Sequence, residues 1–227
     1  MRDLTLVFDL DGTLIDTAPD LIRATNHVLA NRGIEPVAPE RLLPEISFGA
    51  RHMIATGLAF RGISFSEDEL DRLFEAFQVY YEENIAVESR PFDGLTGVLQ
   101  EYLSAGAALA ICTNKRESLS RQLLHQLGLM HLFRALAGRD TFPVCKPHPD
   151  HLLGAIRLAG GNPARSVMVG DSEVDISTAK AARIPVIGVT FGYTRIPVTE
   201  LGADAVIDSY GEFRAALDRV LPRLDRI

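Results

Sequence analysis

An α/β fold, a doubly wound and mostly parallel sheet with an inserted all-helical subdomain, is predicted by three features of the 227-residue sequence. Short apolar runs rich in strand formers recur along the chain: 4–9 (LTLVFD), 107–113 (AALAICT), 166–171 (SVMVGD), 185–189 (PVIGV) and 205–208 (AVID). Between them lie stretches with helical character, at 94–106, 116–127 and 173–183. Strands alternating with helices build parallel sheets covered on both faces. The third feature is one connection that is too long. About a dozen residues suffice to cross between parallel strands, yet residues 16–90 intervene after the first run.

That long span has its own pattern. Leu21, Ile22, Val28 and Leu29 recur at helical spacing, as do Leu70, Leu73, Phe74 and Phe77. Pro36, Pro39, Pro44 and Gly49 punctuate the stretch between them. The partition expected is a core of residues 1–16 and 86–227, with a helical cap at 17–85. Ligands of open parallel sheets bind beyond the carboxyl ends of the strands. Asp9, Thr113 and Asp171 fall at those ends.

Composition narrows the function classes. The 47% hydrophobic and 23% charged content is that of an ordinary globule with a sizeable core. A net charge of -7 leaves no basic stripe to displace counterions, so nucleic acid is not expected as a partner. A small anionic substrate remains compatible, because local charge governs a single pocket. No stretch approaches the roughly 18 apolar residues of a membrane span, so no membrane partner is expected. Cys112 and Cys145 lie far apart and outside any CxxC pattern, and Met1-Arg2-Asp3 leads straight into an apolar run. A reducing cytoplasm, without disulfide or secretory leader, is the expected setting, for a monomer or homodimer.

The first strand ends in Asp9-Leu10-Asp11-Gly12-Thr13. Two carboxylates two residues apart can face one pocket. A calcium loop would need glycine sixth, glutamate twelfth and a preceding helix; here Gly12 is fourth, Asp20 is twelfth and a strand precedes. Thr113-Asn114 offers a hydroxyl, an amide and backbone N–H groups to phosphate oxygens. Lys146 lies in Cys-Lys-Pro-His-Pro, and Gly170-Asp171-Ser172-Glu173-Val174-Asp175 closes another strand with further carboxylates.

Taken in order, DLDGT, a strand-terminal threonine, a lysine and GDSEVD resemble the four motifs of the haloacid dehalogenase-like hydrolases, over essentially the whole chain. The phrases DLDGTLIDTAPDL and KPHPDHL and the helical insert resemble its phosphoglycolate phosphatases. The resemblance implies a magnesium-dependent phosphatase acting on a small anionic phosphate ester, 2-phosphoglycolate first. It makes Asp9 the nucleophile and a metal ligand. Asp11 becomes the acid and base, its backbone carbonyl also on the metal. Asp171 becomes a metal ligand, and Asp175 orders the metal's water or Lys146. Asp9, Leu10, Asp11, Thr113, Asn114 and Lys146 then surround the phosphoryl group, with Thr113 and Lys146 catalytic. These residue types suit the chemistry. A carboxylate attacks phosphorus without first losing a proton, and magnesium and lysine offset its repulsion from an anionic ester.

Other readings fit less well. Receiver domains share the sheet and residue types, but their acidic pair precedes the acceptor aspartate and their lysine comes last. Dehalogenases lack the second aspartate, which is present as Asp11. Phosphonoacetaldehyde hydrolases use a cap lysine, and Lys115, Lys146 and Lys180 all lie outside the cap. Beta-phosphoglucomutases carry a histidine where Leu21 stands. Pyrophosphatases and sugar-phosphate phosphatases would share the core motifs. Selectivity is expected in the cap near Ser47–His52, with Gly49 allowing close approach and Arg51 able to pair with a carboxylate. Ser172 and Glu173 read as a helix start, and His148 as a turn residue.

Overall fold

The computed structural model describes residues 3–224. Met1, Arg2 and residues 225–227, to which the reading of the N-terminus and the stated end of the core extend, lie outside them. In chain order the elements begin with β1 (Thr5–Phe8), β2 (Ile15–Asp16), α1 (Ala18–Ala30) and α2 (Pro39–Leu42). Next come α3 (Ala50–Phe60), α4 (Glu67–Glu83), β3 (Arg90–Pro91), α5 (Leu95–Ser104) and β4 (Ala108–Cys112). Then follow α6 (Glu117–Gln126), β5 (Ala135–Ala137), α7 (Pro149–Leu158), β6 (Ser166–Gly170) and α8 (Glu173–Ala182). The last are β7 (Val186–Val189), β8 (Ala205–Ile207) and α9 (Phe213–Leu224). Two compact units result. Within the described residues the first holds 3–16, 90–192 and 196–224; the second holds Thr17–Ser89 and Tyr193–Arg195.

The first unit is a six-stranded sheet in the order β5-β4-β1-β6-β7-β8, parallel throughout. Strands β1, β4 and β6 are buried at every residue, which explains their unbroken apolar sequence. Side chains still alternate between the faces. Val7, Ala110, Cys112 and Met168 pack with Leu152, Ala155 and Ile156 of α7 and Ile176 and Ala179 of α8. Phe8, one residue out of phase, stacks on Phe213 of α9 at 6.1 Å, and Tyr102 of α5 meets Phe213 edge-on at 5.4 Å. Burying each such aromatic contributes roughly 2–3 kcal/mol. The expected doubly wound α/β architecture is therefore the one observed.

Strand β5 was not among the expected runs. At three residues it is too short for periodicity to reveal. Pairing creates it, with Ala135 beside Ala110 and Ala137 beside Cys112. The small pair β2–β3, antiparallel with Ile15 against Pro91 and Asp16 against Arg90, joins the two ends of the insert. Asp16 is thus a strand residue at the start of the insert.

The second unit is helical. Its α1, α3 and α4 pack together, burying Leu21, Ile22, Val28 and Leu29 with Met53, Ile54, Leu58, Leu70, Leu73 and Phe77. Phe74 is only half-buried. Ser66 caps α4 by accepting from the Glu69 N–H, and Glu67, Asp68 and Glu69 favour its positive end. Buried Asp20 accepts from the N–H groups of Glu88 and Ser89 at 3.0 and 2.9 Å and from Ser89 Oγ at 2.7 Å. These bonds tie the chain to α1 as far as Ser89, beyond the residue 85 read from sequence. Tyr193–Arg195 joins this unit because the Tyr193 hydroxyl accepts from the Ala18 N–H at 3.0 Å, and Arg195 pairs with Glu45. The first of these bonds satisfies an N–H that a helix start leaves unpaired. Among the described residues no helix is long and apolar enough to cross a membrane.

Candidate active site

The centre of the sheet gathers three chemically active strand ends. β1 lies between β4 and β6, so Asp9, Thr113 and Asp171 leave neighbouring strands spaced about 4.8 Å apart. Asp9 continues the ladder through its N–H to the Val169 carbonyl at 2.9 Å. The chain then turns sharply. The Leu10 carbonyl accepts from the N–H groups of Leu14 and Ile15 at 3.0 Å each, and Gly12 adopts φ 81°, a conformation that penalises any side chain. Leu10 is fully buried.

Lys146 holds the carboxylates together. Its Nζ lies 2.6 Å from Asp175 Oδ1 and 2.8 Å from Asp9 Oδ1. All three side chains are buried. The Asp9 contact is an ion-pair approach outside hydrogen-bond geometry, which leaves Asp9 Oδ1 without a directed donor. Burial would drive Lys146 down, but Asp175 and then Asp9 outweigh it and hold its charge above the ordinary lysine range. Burial pushes Asp9 up to about 7, and Asp175 adds to that push against the attraction of Lys146. One cation does not balance this crowd of carboxylates.

Asp175 is fixed from its other oxygen. Ser172 caps α8 in a capping box: Asp175 Oδ2 accepts from the Ser172 N–H at 3.1 Å and the Ser172 hydroxyl at 2.6 Å. The helix start read at Ser172–Glu173 therefore also aims Asp175 at Lys146. Asp171 accepts from the Thr13 hydroxyl at 3.0 Å, and the Thr13 carbonyl accepts from the Tyr210 hydroxyl at 2.8 Å. Burial, with Asp171 nearby, keeps Tyr210 protonated far above its usual range. On the Asp171 side the space is set by Gly192, where an added Cβ would overlap the Asp171 carboxyl and Cβ. Gly192→Ala is expected to displace Asp171, lowering activity by about 10–100-fold and stability by about 1–3 kcal/mol; parallel rate and thermal-unfolding measurements check this.

Thr113 is buried, and its Oγ1 accepts from the Lys115 N–H at 3.2 Å. Asn114 turns its side-chain amide to the Lys146 carbonyl at 3.0 Å, bracing the lysine loop. Lys115 itself reaches both oxygens of Asp11, at 3.0 and 3.2 Å. Gly49 and Arg51 belong to the second unit. Gly49 precedes α3 at φ 89°, and the Arg51 guanidinium pairs with Glu67 and Asp71 of α4.

Sequence reasoning missed several of these residues. Lys115 carried a signal, since it follows the strand-terminal Thr-Asn directly. Gly192 carried none, because its partner lies far away in the chain. His151 was overshadowed by His148, which caps α7 by accepting from the Asp150 N–H. His151 is fully buried; Nδ1 accepts from the Lys146 N–H at 3.1 Å, and Nε2 lies 3.0 Å from the Gly138 carbonyl. Those contacts suit a neutral ring protonated on Nε2. Burial lowers its pKa to about 4. The unfolded chain takes up that proton near pH 6.5, so the stability His151 contributes is present above that pH and fades as pH falls toward 4. Wild type is expected to lose roughly 2–3 kcal/mol relative to His151→Gln between about pH 7 and 4.5 in urea titrations.

A divalent cation fits this donor set. Oxygens of Asp9, Asp171 and Asp175 lie within 4.8 Å of one another; with Asp175 engaged by Lys146 and Ser172, Asp9 and Asp171 are the two carboxylates that would hold the cation. The undirected Asp9 oxygen and the upward push on its pKa both mark a shortage of positive charge. An all-oxygen set suits a hard cation.

Comparison with known proteins agrees with this geometry. The pattern of the haloacid dehalogenase-like hydrolases matches residues 6–189. A phosphoglycolate phosphatase of Agrobacterium fabrum is 46% identical over 211 residues, 93% of this chain and 91% of its own. An N-acetylmuramic acid 6-phosphate phosphatase of Pseudomonas aeruginosa is 34% identical over 223 residues, 97% of each chain. The crystal structure of a predicted phosphoglycolate phosphatase from Haemophilus somnus superposes with a TM-score of 0.86 at 29% identity, covering 94% of this chain and 97% of that one. With its motifs on the central strand ends and a match over most of its length, the chain belongs to the haloacid dehalogenase-like hydrolases.

Proposed function

We propose that this hydrolase is a divalent-metal-dependent phosphatase that works through an aspartyl-phosphate on Asp9, with 2-phosphoglycolate its leading substrate. The observation that carries the reading is the buried Asp9–Lys146–Asp175 chain beside Asp171, with Asp11 two residues from the nucleophile. An Asp9 oxygen attacks phosphorus and the bond from phosphorus to the ester oxygen breaks. Asp11 gives its proton to the departing oxygen. Water then attacks the phosphorus, Asp11 takes up a water proton, and the bond to Asp9 breaks to release phosphate. The Thr113 hydroxyl and Lys146 ammonium hold the phosphoryl oxygens, joined by backbone N–H groups of Leu10, Asp11 and Asn114.

Asp9, Asp171 and the Asp11 carbonyl would hold magnesium. Bound there, it supplies charge neutralisation between nucleophile and ester. Asp175 serves by fixing Lys146, at 2.6 Å. Selectivity is assigned to the helical unit around Gly49. Arg51 takes part only by exchanging Glu67 and Asp71 for a substrate carboxylate.

The test is phosphate release from 2-phosphoglycolate, N-acetylmuramic acid 6-phosphate, other sugar phosphates and pyrophosphate, with magnesium and with chelator. Chelator-sensitive release, highest on 2-phosphoglycolate, is expected. Release mainly from another ester keeps the mechanism and discards the substrate; release unaffected by chelator contradicts the metal.

A further inference from the structure

We infer that Lys115 is a positioning residue for Asp11, fixing the carboxylate that serves as acid and base; the inference rests on the function proposed above. Two lysines divide the carboxylates of the first motif. Lys146 serves Asp9, while Lys115 Nζ bridges both oxygens of Asp11 at 3.0 and 3.2 Å. Only 6% of the Lys115 side chain and 19% of the Asp11 side chain are exposed. Solvent-exposed pairs contribute little because water screens them and both chains stay mobile. This pair is sheltered, and its lysine is anchored at both backbone groups. The Lys115 N–H donates to Thr113 Oγ1, and its carbonyl accepts from the Arg139 N–H at 3.0 Å.

Asp11 needs such a partner. It follows β1 in a tight turn whose bonds fix the backbone, and those bonds leave its side-chain torsions to be set by contacts. Transferring a proton to a departing oxygen demands hydrogen-bond reach, and a misplacement of about 1 Å costs on the order of 100-fold. A bridging ammonium on an anchored strand end sets both carboxylate oxygens at once. Thr113 then serves both halves of the site, since it faces the phosphoryl group and also carries the Lys115 backbone.

Leaving groups test this directly. Lys115→Met keeps most of the stem and removes the ammonium. In rapid-quench single turnovers it is expected to slow phosphoryl transfer from an alkyl phosphate by about 10–100-fold. With p-nitrophenyl phosphate, whose phenolate leaves without a proton, the change should stay below about 3-fold. In Lys115→Ala, added ethylammonium should restore part of the alkyl-ester rate. Equal losses on both esters would make Lys115 a structural or phosphate-holding residue and overturn the inference, as would wild-type rates on both. Asp11→Asn, run beside them, separates the two layers. If it discriminates between the esters and Lys115→Met does not, only the inference fails. If it slows both esters equally, the acid role of Asp11 falls and the inference with it.

Discussion

Asp9→Asn is expected to abolish turnover, by about 10⁴-fold or more, without lowering the melting temperature. The rate falls because an amide is a poor nucleophile toward phosphorus. The stability half follows from the crowding around Lys146. Burial and the nearby Asp175 push Asp9 up to about 7, so in metal-free protein at pH 8 its ionised form is a net burden. Removing the charge relieves that burden, and Lys146 keeps Asp175 at 2.6 Å. Thermal unfolding in chelator, paired with a phosphate-release assay in magnesium, checks both halves. A variant that is inactive because it is unfolded would refute this account of the site's electrostatics.

Lys146→Met should fail in the opposite way, losing activity and stability together. Two buried carboxylates would be left without their shared cation, and breaking a buried pair on one side costs about 3–5 kcal/mol. For a chain of this size the corresponding drop in melting temperature is roughly 10 °C. Under the metal site proposed above, which shares only Asp9 with this ion-pair chain, magnesium should recover part of that stability but not the rate. Lowering the pH should recover part as well, because Asp9 then takes up a proton and sheds its charge. Calorimetry of both proteins with and without magnesium, at pH 6 and 8, reads these effects. An unchanged melting temperature would mean that the ion pairs around Lys146 do not hold the site together.

The fold was legible wherever burial is expressed in continuous apolar runs. Strands β1, β4, β6, β7 and β8 announced themselves because a central parallel strand is covered on both faces. Strand β5 did not, because three residues carry no period and its existence depends on Ala110 and Cys112 of its neighbour. The site divides in the same manner. Asp9, Asp11, Thr113, Lys146 and Asp171 sit at strand ends or in short motifs, where sequence position already fixes direction. The capping box makes Asp175 readable too, since a serine three residues before an acid marks a helix start. Gly192 and Tyr210 act across long sequence separations, through an absent side chain and one hydroxyl, and the nearer ring contacts of His151 depend on how its loop folds back on Gly138. No local pattern encodes such contacts. Lys115 lies between these cases: its position beside Thr113-Asn114 was visible, but its partner was set only by the turn at Gly12.

The most direct test of the central claim is to catch the phosphoryl group on the protein. Enzyme mixed with excess substrate and magnesium, quenched in acid within the first turnover and digested, should yield a peptide containing Asp9 that carries one phosphoryl group. The modification should vanish in Asp9→Asn and under chelator. A first turnover that releases phosphate with no phosphorylated peptide, or with the phosphoryl group on another residue, would contradict Asp9 as the nucleophile.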